Sequence, residues 1–264
     1  MSQRAELAAK PTAPVPAPVK SADRALAVMD LIAARGSVRF NELVNAMGLP
    51  RSSMHGLLQT LVSRGWLDLD EKSRRYSVGL RAWHVGQAYA GHGALLNVAK
   101  PVMDAVSKTL GETVQLARLD GIETVYIAIS EAPQPMRLVT TVGMRLHAHA
   151  TGIGKALLAQ LEPEESARRL RALGLPRFTE HTIVDPDELD RVLAQVRVDG
   201  FARDEEEVIV GCRCVAVPLL DDHRGLIAAL SVAAPKFRCG PDWPERPLQA
   251  LRSAASEICS RLDY

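Results

Sequence analysis

The run FNELVNAMGLPRSSMHGLLQTLVSRGWLDLDEKSRRY, from Phe40 to Tyr76, decides how the front of this 264-residue chain folds. Phe40, Leu43, Val44 and Met47 recur at helical spacing, so one face of a short helix is apolar and must be covered. At Gly48-Leu49-Pro50 the glycine permits a positive φ, and the proline favours an extended residue before it and a new helix after it. The second helix is predicted over about residues 51–64, with Met54, Leu57, Leu58, Leu61 and Val62 inward and a glycine stop at Gly65. Arg51, Ser52, Ser53, His55 and Gln59 are left at or near its outward N-terminal half. All five offer groups that hydrogen-bond phosphates and base edges. Residues 66–69 and 75–78 then flank the polar turn 70–74 as two strands, with Lys72, Arg74 and Arg75 on the tip. Two helices joined by a tight turn and followed by a basic hairpin read as a winged helix-turn-helix. Its second helix suits the major groove of double-stranded DNA, and its wing suits the adjacent backbone.

Working outward, Ser21 is expected to cap a support helix over about residues 22–34, with Leu26, Met29, Leu31 and Ile32 inward. Residues 1–20 carry Pro11, Pro14, Pro16 and Pro18 among Ala and Val and read as a disordered or polyproline-like tail. The winged domain thus covers residues 21–80. Residues 81–100 read as a linker helix whose Trp83, Val85, Tyr89, Leu95 and Leu96 suit the association of two protomers, and Pro101 marks its end.

The second domain, residues 101–264, opens with a helix over 102–110 and then turns β-rich. Strands are predicted at 113–119, 123–130 and 136–142, separated by Asp120-Gly121 and by Pro133 and Pro135. Helices follow at about 156–161, 163–173 and 186–198, strands at 212–218 and 226–233, and a closing helix at 244–262. The order makes an α+β domain with a mostly antiparallel sheet.

Charge divides the chain in the same place. Residues 20–100 hold 11 Lys/Arg against 6 Asp/Glu, whereas residues 101–264 hold 19 against 24, although the whole chain carries only +1. The basic part coincides with the helix-turn-helix, as counterion-releasing contact with a polyanion requires. An apolar share of 47% and a charged share of 24% describe an ordinary globular protein, without a membrane-spanning run or a signal-peptide core. Four cysteines, Cys212, Cys214, Cys239 and Cys259, fit a reduced compartment better than a disulfide framework, so a cytoplasmic location is expected.

The helix-turn-helix run with RYSVG after it, the block HAHATGIGKALLA (147–159) and the block DEEEVIVGCRCVAVPL (204–219) together resemble the IclR-type transcriptional regulators, over roughly residues 21–262. The resemblance implies a winged helix-turn-helix, a linker helix and a GAF-like C-terminal effector-binding domain, assembled as a homodimer or homotetramer. It also implies an effector pocket formed by Gly152, Ile153, Asp204, Cys214 and Ser231. Ala233 stands where some members carry a second Ser, and Ile153 is bulkier than the residue often found there. Both make the pocket more apolar, which favours a larger carboxylate or an aromatic acid over one as small as glyoxylate. Gly56 follows His55 where many relatives carry Arg, removing one potential DNA contact.

From the residues alone, the glycines at 152 and 154 allow two readings. They either open a helix N-terminus to an anionic oxygen or let that helix pack tightly. Lys155 lacks the spacing of a phosphate-loop lysine. Cys212 and Cys214 alternate on a strand with no second ligand pair, so no metal is expected. Cys214 lies close to Asp204 in the implied pocket, and a neighbouring carboxylate raises a thiol pKa rather than activating it. His147 and His149 read as structural. No catalytic residue and no cofactor are expected, and the leading reading is a ligand-responsive DNA-binding regulator, a repressor rather than an activator. A cysteine-dependent reductase and a constitutive DNA-binding protein are the competing readings.

Overall fold

The computed structural model describes residues 18–88, 92–221 and 225–262. They fall into two compact units that divide at Ala90 and Gly91. Most of the proline-rich tail lies outside the described residues, as does Tyr89.

In the first unit the order is α1 (Lys20–Arg35), β1 (Val38–Arg39), α2 (Phe40–Met47), α3 (Arg51–Ser63), β2 (Leu67–Asp70), β3 (Arg75–Val78) and α4 (Leu80–Gln87). Val28 and Ile32 of α1, Leu43 of α2, and Met54, Leu58 and Leu61 of α3 close around one core with Val38 and Leu67. Gly48 ends α2 at φ 61° and its N–H donates to Val44 O, which makes the turn sharp enough for α3 to cross back. Two details differ from the expectation for α1. Val19, not Ser21, precedes the helix, and Leu26 points to solvent while Val28 fills its place in the core. The hairpin gains a third strand, because β1 pairs antiparallel with β3 through Val38 and Tyr76.

The second unit runs α5 (His92–Leu110), β4 (Thr113–Asp120), β5 (Glu123–Ser130), β6 (Arg145–His147), a 3-10 turn at Ala148–Ala150, α6 (Gly152–Leu158), α7 (Pro163–Leu173), α8 (Pro186–Asp199), β7 (Ala202–Glu205), β8 (Cys212–Asp221), β9 (Gly225–Pro235) and α9 (Glu245–Leu262). The sheet order is β6-β5-β4-β9-β8-β7, with every neighbouring pair antiparallel. Alternation along the strands splits the core in two. Val215, Val217, Leu230 and Val232 pack with Leu95 and Met103 of α5 and with Leu251 and Ile258 of α9. Ala216 and Ala229 face the other way, toward Ile153, Leu157 and Leu158 of α6 and Leu189 and Leu193 of α8.

Two expectations are corrected here, and one element is added. Pro101 lies inside α5 instead of ending a helix, so the linker helix expected over 81–100 is two elements, α4 and the first part of α5. Residues 136–142 form a loop, and the edge strand β6 starts three residues later, at Arg145. β7 was not anticipated.

Candidate functional site

Two places in the molecule carry chemistry. On the first unit, Arg51, Ser52, Ser53, His55 and Gln59 are all exposed along α3, while Met54 and Leu58 between them are buried. Arg51 is held in place: its guanidinium donates to Asn41 Oδ1 at 3.0 Å and lies 5.0 Å from the centre of the Phe40 ring. The same ring meets His55 edge-on at 6.5 Å. A cation fixed by an amide and a ring has little entropy left to lose when it meets a base or phosphate.

In the wing, Asp70 Oδ1 accepts the N–H groups of Lys72 and Ser73, closing the turn, and Arg74 sits at φ 55° with its guanidinium on Glu71. Lys72 and Arg74 are exposed. Arg75 is not on the tip with them. It belongs to β3, is half-buried and donates to Ser37 O at 2.9 Å, so its charge braces β1 against β3.

On the second unit, a partly open cavity of about 210 Å3 lies on the α6 side of the sheet. Its wall is mostly apolar, from Tyr126, Leu138, Met144, Leu146, Val208 and Ala233, with Val139 and Ile209 largely exposed. The polar lining is Gln115, Thr140, Thr151 and Asp204. Of the five residues implied by the family resemblance, Asp204 and Cys214 line this cavity. Gly152 lies directly behind them: a Cβ there would stand 3.3 Å from both Asp204 N and Cys214 Sγ. Ile153 points away into the α6–α8 core, and Ser231, fully buried, reaches the cavity through Gln115 and Cys214. Its hydroxyl donates to Gln115 Oε1 at 3.1 Å, and Gln115 Nε2 donates to Thr140 Oγ1 at 2.8 Å.

The N-cap residue of α6, Thr151, lines the cavity. Thr151 Oγ1 already accepts the Gly154 N–H at 3.0 Å, and a Cβ on Gly154 would meet Ala148 O at 2.3 Å. Gly154 therefore serves close packing, whereas Gly152 sits beside the cavity residues Asp204 and Cys214. His149 is fully buried, its Nε2 donates to Pro176 O, and burial lowers its pKa. Both it and His147 pack against Phe178, and neither lines the cavity.

Electrostatics centre on Asp204. Only 6% exposed, it accepts the Glu207 N–H at 2.8 Å through Oδ1, and burial pushes its pKa up to about 7 against the lowering effect of that hydrogen bond. Lys155 of α6 and Glu207 form a buried ion pair beside it. The Glu207 pKa is raised by burial, with Lys155 opposing the shift. Cys214 has its thiol pKa pushed well up by burial and by Asp204, which leaves a neutral group unsuited to attack. Among the described residues, no group of three or more His, Cys, Asp and Glu could hold a metal ion, and no helix is long and apolar enough to cross a membrane.

Gln115 and Lys155–Glu207 were not singled out for this site by the sequence. Gln115 left one trace, as a lone amide in the strand-like run Thr113-Val114-Gln115-Leu116-Ala117.

A winged helix-turn-helix with a poised basic face, joined in one chain to a domain with a ligand-sized cavity, defines a ligand-responsive DNA-binding regulator. The IclR helix-turn-helix domain matches residues 21–71 and the bacterial transcriptional regulator IclR C-terminal domain matches residues 87–260. The chain is 37% identical to the acetate operon repressor of Salmonella typhimurium, over 97% of this chain and 95% of that one. It is 35% identical to the transcriptional repressor IclR of Escherichia coli, with the same coverage. An IclR homologue from Microbacterium hydrocarbonoxydans, crystallised with 4-hydroxybenzoate, superposes with a TM-score of 0.82 at 26% identity, over 92% of this chain and 99% of that one. The chain belongs to the IclR family of bacterial transcriptional regulators. It is a regulator and not an enzyme.

Proposed function

We propose that this chain is a repressor that holds its operator through α3 and the wing and is controlled by a small organic acid in the Asp204 cavity. Arg51, Ser52, Ser53, His55 and Gln59 are the base-edge and phosphate contacts in the major groove, and Lys72 and Arg74 are backbone contacts from the wing. Arg75 contributes to holding the wing in shape. The acid is expected to carry a ring or a short apolar body, because an apolar cavity of roughly 150 Å3 already takes up benzene and this one is larger and largely apolar. That size match, with a titratable carboxyl group, Asp204, among polar groups at its wall, is the observation that carries the reading. The complex of a relative with 4-hydroxybenzoate supports it.

The protein acts as at least a homodimer. Leu80, Trp83 and Val85 of α4 are mainly exposed, a density of apolar side chains that suits a partner helix, and two recognition helices match a pseudo-palindromic operator. Work on an operator makes the cytoplasm its compartment. Duplexes selected from a random pool on the full chain supply an operator, and fluorescence anisotropy then follows its release as 4-hydroxybenzoate or another single-ring acid is added. The reading expects a shift in operator affinity with at least one such acid. Tight operator binding that no acid of this size alters would overturn the effector half of it.

A further inference from the structure

The cavity assigned to the effector has an acidic side chain at its wall and, among the described residues lining it, no Lys, Arg or His. The ammonium of Lys155, on the neighbouring helix, is buried and already paired with Glu207. An acid effector that enters as an anion therefore meets Asp204 with no cation in the cavity lining, the buried Lys155 beside it being shared with Glu207. Two carboxylates in one low-dielectric site do not both stay ionised, because their repulsion adds to the cost of burying each. Asp204 is built for the alternative. Its Oδ1 is taken by the Glu207 N–H, and its carboxyl group stands at the cavity wall.

Resting on the effector reading above, we infer that this chain binds its acid effector together with one proton, held between Asp204 Oδ2 and the effector's carboxyl group. In the balanced step, a proton from solvent joins Asp204, and the resulting Oδ2–H donates to the effector carboxylate. The complex then carries the effector's single negative charge instead of two. The ionisable groups around Asp204 are Glu205 and Glu207 beside it, Lys155 on α6, Cys212 and Cys214 on β8 and Tyr126 on β5. Burial is the largest influence on Asp204. Glu205 and Glu207 add to it, and the Glu207 N–H and Lys155 only partly oppose it. The free carboxyl consequently titrates at about 7, within reach of cellular pH. Below that value the proton is in place before the effector arrives. Above it the proton must be drawn from solvent, and effector affinity falls by up to tenfold for each pH unit.

The test is titration calorimetry of the full-length protein with benzoate and with hexanoate, from about pH 5.5 to about pH 8.5, in phosphate and in Tris. Near the alkaline end the two buffers should give binding heats that differ by nearly one proton's ionisation, and affinity should fall steeply there while staying flat at the acid end. In Asp204→Asn, which keeps the acceptor for the Glu207 N–H and a donor for the effector, affinity should be flat with pH and the buffers should agree. Wild-type affinity that is flat across the range, equal heats in both buffers, affinity that rises with pH, or no binding of either acid at the acid end would each overturn the inference. The wild-type measurement decides the matter even if the variant does not fold. Operator release by an acid whose affinity is independent of pH would sink the proton coupling and leave the regulator reading intact. Proton-coupled acid binding with no effect on operator affinity would do the reverse.

Discussion

Gly154 has no room for any side chain, since an added Cβ would stand within 2.5 Å of Ala148 O, Ala148 Cα and Thr151 Oγ1. Gly154→Ala should therefore cost at least the ~1–3 kcal/mol of an overpacked core, seen as a lower midpoint in urea. At Gly152 the nearest atoms are 3.3 Å from the added carbon, a pressure aimed at Asp204 and Cys214. Sequence alone could not choose between packing and ligand approach for these glycines, because both require the missing Cβ. For Gly154 the position of Ala148 and Thr151 decides for packing. Ile153 was likewise illegible, because which face of a seven-residue helix meets the sheet depends on the whole core. Arg51, by contrast, was legible as an outward cation at the start of α3, though its Asn41 and Phe40 supports were not. Arg51→Ala should weaken operator binding by about 1–3 kcal/mol with little change in melting temperature, and unchanged anisotropy at matched salt would remove it from the interface. Asp204 makes a stability prediction independent of ligand. Its folded carboxyl titrates near 7 while the unfolded one does so near ~3.9. The folded state thus holds the proton longer, and the group's contribution to stability is full below about pH 4 and is lost as pH rises through about 7. Asp204→Asn should be more thermally stable than wild type at about pH 8, by on the order of a few kcal/mol, with the gap closing toward about pH 4.

Among the elements, the helices of the first unit were readable because apolar spacing and Gly/Pro punctuation agree. The misreadings have physical reasons. Proline in a helix interior removes one N–H and crowds the preceding turn, so it normally marks an end. In α5 the burial of Leu95, Ala99, Val102 and Met103 on both sides of Pro101 carries the helix through. Met136, Leu138 and Val142 alternate as a strand would, but Leu138, Val139 and Thr140 are used to roof the cavity, so their apolar character serves the site and not a sheet. β7 hides because Arg203, Asp204 and Glu205 look like a loop. Charged residues are tolerated there at the sheet edge, where β7 pairs on one side only, with β8. In the wing, Arg74 adopts a left-handed backbone that costs a non-glycine residue roughly 1 kcal/mol. Arg74→Gly should hold or slightly raise thermal stability while weakening operator binding and flattening its salt dependence, a combination that a purely structural role for the arginine would not give.

At the scale of the whole molecule, each unit has its own apolar core, and the units differ in how locally they are built. The first closes contacts among neighbours in sequence, from Val28 to Tyr76. The second depends on β9 entering between β4 and β8, with Val114 beside Val232, and on α9 covering the sheet that results. A chain ended before Gly225 would leave β4 with an unpaired edge, and it should bind no acid and lose its C-terminal part rapidly to protease. Residues emerge from the ribosome in order, so the DNA-reading unit can finish folding while the two halves of the sensory sheet still await the strand that joins them. During that interval of synthesis the cell holds a nascent repressor deaf to its metabolite. A frameshift between the division at Ala90 and Gly91 and the start of β9 at Gly225 should make that deafness permanent.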